Sequence, residues 1–281
     1  MANPPQPVSH EPLVAFGGRW QRRLVGQGRL EVAGSRLRFA VGTSSGRRYS
    51  NAQIDDYQGL PRRHFAWQPP LRLTVQARFS HPAVGPGPTL RGTAGFGFWN
   101  DPFLMTGARL PTLPRAVWFF YSSPPSDIKL DPSTPGCGWK AATLDALRPI
   151  ALPLALTALP AIALMNVPSV YRQLWPPIQR ALQIREARLE VDMTTWHTYY
   201  LDWTAEGARF AVDDPCRPLL QAPSPRGPLG FVLWLDNQYL VATPWGRFRW
   251  GLLDMDAEQW LEVDHLSIEP LAGKQAGLTS P

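Results

Sequence analysis

The chain has 281 residues, 44% of them hydrophobic and 18% charged, so it can bury a core and is not a disordered chain. Its 31 prolines and 23 glycines follow no short repeat, which favours many turns between short strands and an all-β fold. The net charge of +6 comes from scattered arginines (Arg22-Arg23, Arg47-Arg48, Arg62-Arg63, Arg247, Arg249) with no basic run, so nucleic acid is not an expected partner.

Residues 1–12 are Pro-rich and polar and are expected to be loose, as is the tail 271–281. The start lacks the charged and apolar regions of a secretory signal, which points to a cytoplasmic protein, membrane-associated if its apolar segment meets lipid. A single domain is expected over 13–270. From Leu24 onward, GRLEVAGSRLRFAVG alternates about a Gly-Ser turn, which is a β-hairpin pattern. Asp55-Asp56 precede a glycine and read as a surface turn. Leu71–Ser80 keeps a strict period of two, the mark of a half-buried antiparallel strand. GTAGFGFWND (92–101) and PRAVWFFYSS (114–123) are denser in rings and read as central strands.

One segment breaks this pattern. Ile150–Val167 has no charge but contains Pro153 and Pro160, and the sequence after it turns amphipathic. Residues 144–188 therefore read as a hydrophobic, largely helical insertion. Three roles stand for its apolar half: a buried lid or subunit contact, a membrane-surface contact, or a membrane span.

Further on, Trp196–Trp203 and Ala208–Val212 read as two strands around the turn Thr204–Gly207. GPLGFVLWLDN and QWLEVDHLSIEP close the series. In the last, Leu261, Val263, His265 and Ile268 lose strict alternation, which predicts a β-bulge. Cys137 and Cys216 either pair or stay free thiols, and they are too few for a zinc site.

These blocks resemble laminarinase-like glycoside hydrolases of family 16, which have the concanavalin A-like jelly-roll sandwich. The resemblance rests on His197, Thr198, Tyr199, Trp203, Thr204, Phe210, Val212 and Asp213. At the end of the chain it rests on Val263, Asp264, Leu266 and Ile268. It covers roughly residues 20–140 and 190–270 and implies an all-β jelly-roll β-sandwich. It also implies a structural calcium at Asp264. The family's Glu-x-Asp-x-x-Glu does not carry over. Alternate residues of a strand share a face, so that motif aims its acids into one cleft. Here the corresponding strand has no Asp or Glu between Arg115 and Ser126, and Trp118 and Phe120 stand there instead.

Function is left between classes. One reading is a glycan or glycolipid binder whose Trp99, Trp118, Phe120 and Trp234 stack on the ligand while Asn100, Asp101, Asp236 and Asn237 hydrogen-bond to it. A second is an enzyme acting on an apolar small molecule (lipid, terpenoid or polyketide-like) under a hydrophobic lid, with Asp127, Asp236 or His197 as acid or base. A glycoside hydrolase with displaced acids, and a scaffold that docks on membrane or on itself through 150–167, complete the set.

Overall fold

From Leu71 to Phe79 every second side chain is buried, the pattern of a strand that packs one face on a core. In this computed structural model, residues 19–102, 110–149, 164–243 and 245–271 are described. The expected loose stretch 1–12, the tail beyond 271 and residues 150–163 of the apolar segment lie outside them.

The chain opens with β1 (Gln21–Val25), β2 (Gly28–Ala33), β3 (Arg36–Val41) and β4 (Asn51–Asp55). There follow β5 (Leu71–Phe79), β6 (Thr93–Trp99), β7 (Arg115–Ser122) and β8 (Gly138–Asp145). The helix α1 (Pro168–Ala181) leads to β9 (Arg185–Arg188), β10 (His197–Trp203), β11 (Ala208–Val212) and β12 (Leu220–Ala222). The last strands are β13 (Gly230–Asp236), β14 (Gln238–Ala242), β15 (Phe248–Leu252) and β16 (Gln259–Pro270).

Two seven-stranded sheets form, in the orders β1-β4-β13-β6-β7-β8-β9 and β12-β11-β10-β5-β16-β3-β2, and β14-β15 stands apart as a hairpin. Their pairings are antiparallel throughout. The protein is a jelly-roll β-sandwich. Its core lies between the sheets and is rich in rings. Phe96 and Phe119 of one sheet meet Tyr199 of the other at centroid distances of 5.2 Å, with Trp139 beside them. Edge-to-face packing of this kind fills the interlayer space with rings at close contact.

The predicted bulge falls in β16, where the register against β5 shifts between Val263 and His265. The extra residue is Asp264, which is why the alternation breaks at that point.

Two expectations need correction. Asp55 and Asp56 are buried rather than in a surface turn, because β4 is an inner strand between β1 and β13. The insertion is narrower than 144–188: Leu144 and Asp145 still belong to β8, and Arg185–Arg188 pair with β8 as the sheet's edge strand. Arg185-Glu186-Ala187-Arg188 has no apolar periodicity, so only its neighbours decide between helix and strand. Across that pairing Glu186 lies 3.5 Å from the buried ammonium of Lys140. Of the two alternatives left open for the cysteines, Cys137 and Cys216 are both free thiols.

Candidate functional site

The first sheet has a second apolar face, turned away from the core. Phe96, Phe98, Val117, Phe119, Leu233 and Leu235 point inward. The alternate residues Trp99, Trp118, Phe120, Val232 and Trp234 therefore gather outside, with Tyr57 and Phe65 packed against them.

The Gly-x-Gly of β6 makes this platform. Gly95 and Gly97 lie opposite Phe120 and Trp118 of β7 on one side, and opposite Trp234 and Val232 of β13 on the other. A Cβ on Gly97 would stand 2.6 Å from both Cα and Cβ of Trp118, and one on Gly95 would stand 2.9 Å from the Trp234 ring. Because those side chains are absent, the flanking rings close over β6. Trp118 stacks on Phe120 at 5.3 Å and 20° and tilts against Trp234 at 5.5 Å and against Trp99 at 5.8 Å. Two of the indole N–H groups are already engaged: Trp99 donates to the Tyr57 hydroxyl at 2.5 Å and Trp234 to Thr93 Oγ1 at 2.9 Å.

Above the platform lies a cavity of about 1000 Å3. Its walls are not loops of the sandwich but two added elements. On one side α1 and the short segment before it contribute Met165, Trp175 and Ile178, and on the other the β14-β15 hairpin contributes Leu240, Phe248 and Trp250. Trp175 Nε1 donates to the Leu130 carbonyl at 2.9 Å, and Gln179 Nε2 to the Asp131 carboxylate at 2.9 Å, which anchors the helix to the segment before β8. The hairpin is anchored by backbone bonds from Asp127 N to Leu240 O (3.0 Å) and from Ala242 N to Asp127 O (2.9 Å). Helix and hairpin touch where Tyr171 meets Trp245, with centroids 5.2 Å apart and nearly perpendicular.

Only Arg115, Glu186 and Asp236 among the described lining side chains are charged, and each is engaged. Arg115 Nε lies 3.2 Å from Asp145. Glu186 accepts from Thr134 Oγ1 at 2.7 Å as well as facing Lys140, and burial raises its pKa. Asp236 Oδ1 accepts from Thr93 Oγ1 at 2.7 Å and from the Gln238 amide at 3.0 Å. Its Oδ2 has only a 3.5 Å contact with the Tyr49 hydroxyl. Burial lifts the Asp236 pKa to about 6, with the hydrogen bonds opposing the rise.

The two cavity carboxylates cannot act as a pair. β13 and β9 are separated by four strand spacings in the sheet order, roughly 19 Å at about 4.8 Å each. Glycoside hydrolysis by two carboxyl groups needs them about 5–9.5 Å apart.

The residues picked out in the sequence divide by location. Trp99, Trp118, Phe120, Trp234 and Asp236 line the cavity. Asn100, Asp101 and Asn237 do not; they follow strand ends and hold turns. Asn100 Oδ1 accepts from the Arg115 amide at 2.9 Å, the Asp101 carbonyl accepts from Arg62 at 2.7 Å, and Asn237 bonds Ser50 N and the Arg48 and Leu253 carbonyls. Short amide side chains at strand ends, as on Asn100 and Asn237, are drawn to the backbone groups the turn leaves unpaired. Asp127 anchors the hairpin through its backbone and is not among the lining residues. His197 belongs to the other sheet, where its Nδ1 lies 2.7 Å from Asp213 and ties the start of β10 to the end of β11.

Asp264, for which the resemblance implied calcium, is the extra residue of the β16 bulge. Calcium takes six or more oxygens. Here the carboxylate faces the Arg36 guanidinium at 3.3 Å, and among the described residues no group of three His, Cys, Asp or Glu could hold a metal. No described helix is long and apolar enough to cross a membrane.

Sequence reasoning missed Trp175, Phe248 and Trp250. The signal for the last two was present in Arg247-Phe248-Arg249-Trp250, a period-two alternation of rings and cations.

No protein-family model matches the chain, and no curated protein matches it. Several solved structures are similar at low identity. One is the pseudo β-1,3-glucanase and immunostimulatory antigen of Mycobacterium tuberculosis, at 11% identity over 90% of this chain and 91% of that one, TM-score 0.45. Another is a glycosyl hydrolase family 16 protein from Mycobacterium smegmatis, at 12% identity over 89% and 91%, TM-score 0.42. A third is the GlcNAcα1-4Gal-releasing endo-β-galactosidase of Clostridium perfringens, at 11% identity over 90% and 58%, TM-score 0.47. At these values the likeness bears on neither activity nor ligand.

Proposed function

We propose that the protein binds an apolar small molecule, a lipid, terpenoid or polyketide-like compound, in the cavity between the ring platform and its helical and hairpin walls. The observation that carries this reading is the chemistry of the lining: rings and aliphatic side chains predominate over a few polar residues such as Gln53, Thr143 and Thr243, and each charged group is already engaged by protein. Burying a polyhydroxylated ligand there would strip its hydroxyls of water without replacing the lost hydrogen bonds, at roughly 1–3 kcal/mol each. An apolar ligand loses nothing of that kind and gains about 25 cal/mol for each Å2 removed from water. Asp236 Oδ2, whose one protein contact is the Tyr49 hydroxyl at 3.5 Å, suits a ligand hydroxyl that donates to it.

A glycan is the second reading, favoured by the flat Trp118-Phe120 stack, which would accept the apolar face of a sugar ring. Native mass spectrometry of the purified protein, followed by organic extraction, separates the two. The first reading expects a co-purifying apolar compound that Trp118→Ala reduces at least tenfold. A glycan bound on an array, lost in Trp118→Ala and with no extractable apolar compound, would replace it with the second.

A further inference from the structure

The mouth of the cavity carries an exposed surface that ligand binding does not explain. Phe248 and Trp250 are both 66% exposed although each also lines the cavity. Leu164 and Val167, which flank the lining residue Met165, are likewise exposed at 55% and 50%. Large apolar side chains held in water beside an apolar opening need an occupant.

Charge points to what that occupant is. The hairpin from Gln238 to Leu252 contains Arg247 and Arg249 and no acid. The other wall repeats the pattern: Pro168 to Arg185 contains Arg172, Arg180 and Arg185 and no acid. Arg172 and Arg180 of α1 are both exposed, while Trp175 and Gln179 of the same helix are buried. Rings and aliphatic side chains interleaved with arginine, without any carboxylate, match the headgroup region of an anionic bilayer. There the rings settle at the acyl boundary and the cations meet lipid phosphates.

We propose that the cavity mouth docks on an anionic lipid bilayer through Phe248, Trp250, Arg247 and Arg249 of the hairpin and the facing end of α1. The bilayer is then the source or destination of the cavity's ligand, an extension that rests on the apolar reading of the cavity. Docking in this geometry presents the opening to the membrane, so an apolar ligand crosses between lipid and protein without passing through water.

Vesicle flotation tests this with the full chain. On phosphatidylglycerol vesicles the protein should partition at least tenfold better than on phosphatidylcholine, and 0.5 M salt should weaken it on the order of tenfold. Phe248→Ala/Trp250→Ala should lower partitioning at least tenfold with an unchanged melting temperature, because both side chains are exposed. Arg247→Glu/Arg249→Glu should abolish the preference for anionic lipid. Equal binding to both vesicle types, or an unaffected double alanine variant, overturns the proposal. So does a concentration-dependent dimer that the double variant abolishes without any vesicle binding, since the patch then covers a second copy. Ala142→Trp, which fills the cavity floor, distinguishes this from the ligand reading. It should remove co-purified compound and leave flotation intact. Flotation without any extractable compound in the parent protein would instead retire the ligand reading alone.

Discussion

Tyr171 of α1 meets Trp245, in the turn between β14 and β15, edge to face at 5.2 Å, and this contact joins the two elements that wall the cavity. They come from distant parts of the chain and rest over the same face of the sheet. Trp175 and Leu174 belong with Tyr171, Trp245 and the insertion's own small core rather than with the core of the sandwich.

Removing that contact should loosen the walls without unfolding the sandwich. An aromatic pair adds about 0.5–1.5 kcal/mol beyond area burial. Tyr171→Ala is expected to raise hydrogen exchange several-fold in 168–181 and 238–252 and to leave β5, β10 and β16 unchanged. Equal protection in the two variants Tyr171→Ala and Trp245→Ala and in the parent would mean that the walls stand independently.

Gly97 should tolerate no side chain. Its φ of +149° and the 2.6 Å approach of a Cβ to the Trp118 backbone leave nothing flexible to move aside. Gly97→Ala should cost roughly 2–4 kcal/mol in urea unfolding, the range of severe core overpacking and strain. Gly87→Ala, where a Cβ meets nothing within 4 Å, serves as the control and should change stability by less than about 0.5 kcal/mol. A Gly97→Ala protein as stable as that control would show that β6 does not depend on ring-to-backbone packing.

Asp236 predicts the direction of a pH dependence. Its folded pKa, about 6, is above the ordinary 3.8, so the folded protein holds a proton that the unfolded chain has lost between those values. Stability from this group therefore falls as pH rises from about 4 to about 6, and the penalty is complete above 6. Two pKa units correspond to about 3 kcal/mol. Asp236→Asn keeps an acceptor for Thr93 and cannot ionise. Relative to this variant the parent should lose on the order of 3 kcal/mol between pH 4 and 7.5, measured by urea unfolding at both. Parallel profiles would place the Asp236 pKa at its ordinary value. Asp56, raised by burial to about 7, acts in the same direction in both proteins and cancels in the comparison.

Where one strand supplied its own pattern, the structure was legible in advance. The alternation of Leu71–Phe79, the turn at Thr204–Gly207 and the bulge beside Asp264 each follow from local period and turn chemistry. So did the outward grouping of Trp99, Trp118, Phe120 and Trp234, because strand residues two apart share a face. Asn100, Asp101 and Asn237 were misplaced because a polar side chain after a strand looks the same whether it meets ligand or its own turn. Asp55 and Asp56 were misread because a central strand rich in polar residues resembles a turn until its neighbours are known.

By itself, then, the chain determined a two-layered sandwich with an apolar insertion and a strand, Arg115–Ser122, that carries rings and no acid. Only the tertiary structure decided what those rings face. α1 and the β14-β15 hairpin meet over the same sheet face, although about seventy residues separate Tyr171 from Trp245. Periodicity reports what lies within a few residues along the chain, whereas a cavity is defined by the surfaces that long-range folding places opposite one another.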